Sequence, residues 1–256
     1  MAIKLKSEAE LKTMREAGAI VARTLEKIRG IVRPGLNCRE IEKLVHEEFK
    51  KVGAKETFLH YRPSDKYPPY PSNICISINE QLVHGIPRDR ILKEGDIVTF
   101  DLGATHKGYV GDAAITVAVG EVPAATKRLM GVTQDALDAG IKAATTGKHL
   151  NDICGAIEDV ITAADMGIVR GYGGHGVGRS MHEEPHVTNH RNRFRGTPLR
   201  TGLVLALEPM VTLGKPDVEE MKDGWTVRTK DGSLCCHFEH TIAILEGCEA
   251  TVLTLP

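Results

Sequence analysis

Between Asp96 and Val117 the sequence DIVTFDLGATHKGYVGDAAITV reads as two short apolar strands joined by a loop, with one carboxylate on each, Asp101 and Asp112. Val, Ile, Thr and Phe precede Asp101, and Gly103 and Gly108 supply turn signals after it. A second apolar run, Ala113 to Val119, follows Asp112. A carboxylate inside an apolar strand is costly to bury unless it is paired or bound to a metal. Two on neighbouring strands repel, and a cation between them resolves the repulsion. On this stretch alone, two solvated aspartates beside turn glycines explain the pattern as well as a metal does.

The rest of the chain is arranged as if this unit occurred twice. Ser7 to Glu10 forms a capping box that opens a helix with an apolar stripe at Leu11, Met14, Gly18, Val21, Leu25 and Ile28, ended by Arg33-Pro34-Gly35. Asn37 to Glu40 repeats the cap, and Ile41, Leu44, Val45 and Phe49 share one face of a second helix that stops near Gly53. A Pro- and Tyr-rich loop spans 56–72, a strand covers 75–80, and His84-Gly85-Ile86-Pro87 forms a turn before the hairpin. The pattern restarts at Pro123, with a helix to Ala144, a break at Thr146-Gly147 and a helix from Leu150 to Ala164. Glycine-rich GYGGHGVG (171–178), a strand over 202–211 and a last hairpin through 225–245 complete it. In both halves an acid lies six residues beyond a glycine, Gly95 to Asp101 and Gly202 to Glu208. Asp112-Ala-Ala-Ile-Thr-Val likewise parallels Glu239-His-Thr-Ile-Ala-Ile. Chance similarity of apolar strands accounts less well for two matched acids at matched positions.

If the halves pack about a pseudo-two-fold axis, Asp101, Asp112, Glu208 and Glu239 converge. Four carboxylates with an imidazole suit two divalent cations sharing a bridging water. Carboxylate-rich ligation favours Mn, Fe, Co or Zn over a thiolate-type structural zinc. The nitrogen ligand is expected to be His175, flanked by Gly173, Gly174 and Gly176. GGHGVG alone reads better as a flexible surface loop with an idle His. His182-Glu183-Glu184-Pro185-His186 formally satisfies H-E-x-x-H, but Pro185 opposes the helix that motif needs. An extended segment with His182 turned into a site and His186 and His190 exposed is expected instead. No G-x-S-x-G elbow, Walker A loop or dinucleotide fingerprint is present.

Composition narrows the class. With 33 Lys and Arg against 34 Asp and Glu, the chain carries no charge footprint for nucleic acid or membrane. No apolar run is long enough to span a bilayer, and MAIKLKSEAE lacks a signal core. The six cysteines (38, 75, 154, 235, 236 and 248) include no C-x-x-C pair and read as reduced thiols in a cytoplasmic protein.

Taken together, NICISINEQLVHGIP, DIVTFDLG with YVGDAA eleven residues on, GGHGVGRSMHEEPHV, ALEPMV and FEHTI closely resemble type I methionine aminopeptidases. The likeness runs nearly the whole chain, and five ordered motifs make it specific. It implies an α/β (α+β) pita-bread fold, a pseudo-two-fold duplication of helix-helix-strand units around a curved antiparallel sheet. One catalytic domain, 1–256, with halves of about 1–122 and 123–256, is expected. The resemblance further implies that Asp101, Asp112, His175, Glu208 and Glu239 ligate two divalent ions, with Asp112 and Glu239 bridging. Glu208 would also be the general base. His84 and His182 would contact the peptide near its scissile bond and stabilise the tetrahedral intermediate. Cys75, Tyr67, Tyr70 and Trp225 would wall the methionine pocket.

The implied activity is removal of N-terminal methionine before a small second residue, from peptides and nascent chains, by a monomer with no membrane or specific nucleic-acid partner. The chain begins Met1-Ala2 and would itself qualify as a substrate. Three departures stand out: residues 61–66 look inserted, Met181 replaces a common aromatic, and 188–200 is basic. That basic run reads as a solvated loop, with transient ribosome contact as the alternative. An Xaa-Pro peptidase would need an N-terminal domain, a type II enzyme a large second-half insertion, and a metal-free binding relative would have lost ligands. A purely structural metal protein would have no use for His84 and His182.

Overall fold

The computed structural model describes residues 3–247 and 249–256; Met1, Ala2 and Cys248 lie outside the described residues. The first half runs α1 (Glu8–Ile31), α2 (Cys38–Val52), β1 (Lys55–Glu56), β2 (Cys75–Ile78), β3 (Gln81–Val83), β4 (Ile97–His106) and β5 (Tyr109–Ala118). The second half opens with α3 (Ala124–Ala143) and α4 (Leu150–Ala163). Short strands follow: β6 (Gly167–Ile168), β7 (Gly173–Gly176), β8 (Glu183–Thr188), β9 (Val204–Leu207) and β10 (Met210–Thr212). The chain ends with β11 (Val218–Glu220), β12 (Val227–Thr229), β13 (Cys235–His237), β14 (Glu239–Ala243) and β15 (Thr251–Val252).

Local signals set the helix ends. The Glu10 carboxylate accepts from the Ser7 backbone N–H at 2.8 Å while the Ser7 side chain accepts from Glu10 N–H, so both expected partners of the capping box are made. Asn37 and Glu40 do the same for α2, which ends on Gly53 in the left-handed region.

Nine strands form one antiparallel sheet whose backbone order is β1-β4-β5-β14-β9-β7-β8, with β2 on β4 and β15 on β14. The centre of that order is a palindrome. β5 pairs with β14, each is flanked by its acid-bearing partner (β4 or β9), and β2 and β7 lie outside those. Gly95 and Gly202, the glycines that head the matched strands, have φ of +89° and +88°. Such angles suit a residue without Cβ, and their agreement extends the repeat to the backbone.

One face of the sheet is core. Phe100, Leu102, Ala104, Ala113 and Ile115 alternate away from the acids and join Val21, Leu25 and Ile28 of α1. The helix sits close because Gly111 faces it. A Cβ there would lie 2.5 Å from the Gly18 nitrogen and 2.7 Å from the Ala17 carbonyl carbon, both backbone atoms.

Two expected elements differ. The strand over 202–211 is two strands, β9 and β10, in different sheets, because Pro209 has no N–H to continue the ladder. The expected hairpin through 225–245 is absent. β12 pairs with β11 and β3, β13 with β10, and β14 with β5, β9 and β15. Non-local pairing overrode the local pattern.

Gly111→Ala is expected to lower unfolding free energy by roughly 1–3 kcal/mol, the cost of overpacking against backbone that cannot rotate away. Urea denaturation of variant and parent checks this.

Candidate metal centre

The register builds the site. Cys75 pairs with Asp101, Asp101 with Ala114, and Ala114 with Glu239, so these side chains share one face in a row across four strands. Asp112 lies on the same face, two residues from Ala114. His240 pairs with Leu207; carrying that register on by one residue sets Glu208 opposite Glu239. His175 pairs with Ala206, which puts it on the face that carries Glu208. The strand break at Pro209 leaves Glu208 outside the ladder. Its carbonyl accepts from Asn189 Nδ2 at 3.0 Å.

All five expected ligands line one cavity of about 480 Å³. Asp112, His175 and Glu239 offer atoms within 4.8 Å of one another. Asp101 and Glu208 fall outside that tight trio but border the same space. His175 Nε2 lies 3.6 Å from Asp112 Oδ2 and 3.6 Å from Glu208 Oε1. Its Nδ1–H donates to the Gly176 carbonyl at 2.9 Å, which can only accept. The lone pair therefore sits on Nε2 and faces carboxylates, an arrangement that a cation satisfies.

The electrostatics agree. Burial holds the Asp101, Glu208 and Glu239 carboxyls well above the usual carboxylate range, and the neighbouring acids push them further. Burial raises Asp112 to about 7, against a smaller opposing effect of its hydrogen bond with Glu239. His175 is pushed down to about 3, by burial first and by His182 second. Asp101 Oδ1, Asp112 Oδ1 and Glu239 Oε1 are buried without hydrogen-bond partners. Such orphaned oxygens around an imidazole lone pair fit a divalent metal.

The two further histidines border the same cavity. His84 sits at φ +58°, a strained angle for a residue with a Cβ. Burial pushes its pKa down to about 4, so it is neutral near pH 7. His182 precedes β8, in the extended segment expected from Pro185, with its ring centroid 4.3 Å from that of His175. Part of the His182 ring stays open to solvent, but the buried side lowers its pKa. His186 is exposed and His190 partly so.

Tyr67, Tyr70, Cys75 and Trp225 line the same cavity. The Trp225 ring lies 5.6 Å from Tyr67, tilted by 41°, and meets Tyr70 edge-on at 5.1 Å, while its Nε1–H donates to the Pro68 carbonyl at 3.1 Å. Tyr70 donates its hydroxyl to the Gly85 carbonyl at 2.8 Å. Met181 also lines the cavity. Of the basic run 188–200, residues 191–196 are exposed and Asn189 and Leu199 are buried; its Arg191 is paired with Glu158 and Asp159.

Two neighbours of the site escape the sequence reading. His237, fully buried, places Nε2 3.6 Å from Glu208 Oε2 and 3.9 Å from Glu239 Oε2. Its signal was available: two residues before Glu239 in an extended run, it shares that residue's face. Tyr61, in the 61–66 loop, lines the cavity with its hydroxyl 2.7 Å from His182 Nδ1. No periodicity announces that contact.

Fold and site together define a metallopeptidase: residues 12–246 match metallopeptidase family M24, and the chain belongs to that family. Methionine aminopeptidase of Aquifex aeolicus is 43% identical over 247 residues, covering 95% of this chain and 96% of the relative. Methionine aminopeptidase 1 of Bacillus subtilis is 42% identical, covering 94% and 95%. The crystal structure of methionine aminopeptidase from Thermotoga maritima superposes with a TM-score of 0.95 at 41% identity over all of both chains. The architecture is the pita-bread fold shared by these neighbours. Prolidase from Pyrococcus furiosus, 22% identical with a TM-score of 0.75, shares the fold; this chain covers 65% of its length.

In chelator-treated protein the raised carboxyls work against the folded state at high pH. The folded Asp112 holds its proton to about pH 7, against an ordinary value of 3.8, so its stabilising contribution is lost as pH rises through about 7. Buried neutral imidazoles oppose this trend below their ordinary value of 6.5. Thermal stability of the chelated protein should therefore fall between about pH 6.5 and 8, and divalent ion should restore it. Scanning calorimetry with and without metal checks both.

Proposed function

We propose that the chain is a methionyl aminopeptidase that removes N-terminal methionine when the second residue is small. The observation that carries the reading is a single cavity with an acidic, metal-fitted floor and an apolar aromatic wall. Cys75 stands at the boundary, directly across the ladder from Asp101. A free α-amine suits the acidic end, and a thioether suits aromatic and sulfur-bearing neighbours. Residues 1–256 act as one catalytic domain in this reading, with halves of about 1–122 and 123–256.

Asp101, Asp112, His175, Glu208 and Glu239 would hold two divalent ions from among Co, Mn, Fe and Zn. Asp112 and Glu239 would be shared between the two ions, a reading supported by their position on the paired strands β5 and β14. When bound, the ions supply Lewis-acid polarisation of the scissile carbonyl and a lowered pKa for water. Glu208 accepts the proton of the attacking water and passes it to the leaving amine. His84 and His182, neutral near pH 7, donate N–H groups to the carbonyl oxygen as negative charge develops there. Trp225, Tyr67 and Tyr70 orient the methionine side chain and exclude water around it.

Peptide and nascent-chain N-termini met in the cytoplasm by a monomer are the setting this activity calls for. The basic run 188–200, exposed over 191–196, is the surface a transient ribosome contact would use. Among the described residues, no helix is long and apolar enough to cross a membrane.

Apoprotein given each metal in turn is expected to release methionine from Met-Ala-Ser and to fail on peptides with a bulky second residue. No release with any of the four metals at full loading would reject the reading. Glu208→Gln should stay folded by circular dichroism while kcat drops by about 100-fold or more.

A further inference from the structure

The 61–66 loop borders the candidate metal cavity through Tyr61 and Pro63. Its backbone is braced at the base: Tyr70 N–H donates to the Tyr61 carbonyl at 2.9 Å, and His60 N–H to the Tyr70 carbonyl at 2.8 Å. Within the loop, Arg62 donates to the Tyr67 and Asp65 carbonyls at 2.8 and 2.9 Å, and Tyr67 N–H to the Ser64 carbonyl at 3.1 Å. This brace fixes the start of Tyr61, whose ring packs against His182 with centroids 5.5 Å apart and planes tilted by 39°. The hydroxyl lies 2.7 Å from Nδ1.

We propose that Tyr61 is a positioning residue for His182: its hydroxyl donates to Nδ1, which locks the imidazole in the tautomer that carries its proton on Nε2. The inference rests on the aminopeptidase reading, in which His182 must donate an N–H to the developing oxyanion. An imidazole held the other way, with Nδ1–H donating to the phenol oxygen, would present a bare lone pair to that oxygen and repel it. Tyr61 is suited to the donor's part. Burial, with the Asp112 charge behind it, raises its pKa and keeps the phenol protonated. The ring contact also limits rotation of the imidazole about its own axis. Once Nδ1 is occupied, Nε2 is the nitrogen left for the cavity.

The test uses zinc-loaded protein with 15N-labelled histidine, the His182 signals being identified by their loss in His182→Asn. In the parent, Nδ1 is expected to resonate as an unprotonated, hydrogen-bonded nitrogen and Nε2 as a protonated one. Tyr61→Phe keeps the ring contact and removes only the hydroxyl. It should mix the tautomers and lower kcat on Met-Ala-Ser by about 10–100-fold, the usual penalty for losing such a partner, with KM within about threefold. A protonated Nδ1 in the parent overturns the proposal without any Tyr61 variant. So does a Tyr61→Phe protein whose kcat or imidazole signals match the parent's. Failure of the aminopeptidase reading is seen separately, as absence of turnover in the parent itself.

Discussion

Mutual repulsion among four crowded carboxylates is the constraint on which this structure turns. Asp112, Glu208 and Glu239 are buried and Asp101 is partly so; all four line one cavity, with orphaned oxygens on three of them. Each buried ion costs several kcal/mol after relaxation, and neighbours of the same sign add to it. The chain bears that cost through the opposite sheet face, where α1 lies on an uninterrupted apolar layer. A site that repels itself needs either protons or a divalent cation. The His175 lone pair, fixed by the bond from Nδ1 to the Gly176 carbonyl, favours the cation.

The same constraint explains the symmetry. Two acids on one hairpin make half a site. A second copy, brought alongside by pairing β5 with β14, supplies the other half without new architecture. The two halves differ at the acid-bearing strands. Asp101 remains inside a continuous ten-residue strand, whereas Glu208 sits at a break where Pro209 ends the ladder and the chain passes to another sheet. That break takes Glu208 out of ladder pairing, which suits the proposed role of a carboxylate that both ligates and moves a proton.

Around this floor the protein keeps its histidines neutral. His84, His175 and His237 are all depressed by burial, so near pH 7 each offers one N–H and one lone pair. For His175 a carbonyl, which can only accept, fixes which nitrogen carries the proton; at His182 a phenol hydroxyl lies beside Nδ1, the basis of the positioning role proposed for Tyr61. The loop that carries that phenol is braced by hydrogen bonds to its own backbone and to Tyr70, which holds Tyr61 at the cavity.

Much of this was legible in the sequence because its signals are local. Capping boxes at Ser7 and Asn37, strand acids six residues past a glycine, and the helix-breaking Pro185 each depend on a few adjacent residues. Those signals located the helices, the acid-bearing strands and the five candidate ligands. The split of β9 from β10 was written in Pro209, but the partner sheet was not. The expected hairpin over 225–245 failed because its strands find distant partners, and strand pairing is decided by what lies alongside rather than by the run itself. His237 and Tyr61 show the same division. Residue type and strand parity were available for His237, yet only the folded chain sets it 3.6 Å from Glu208. Tyr61 meets His182 across 121 residues, a contact that no periodicity encodes. By itself the sequence determined which side chains could do the chemistry. Tertiary structure alone decided which way each one faces and which atom carries its proton, because hydrogen-bond partners are set by neighbours in space.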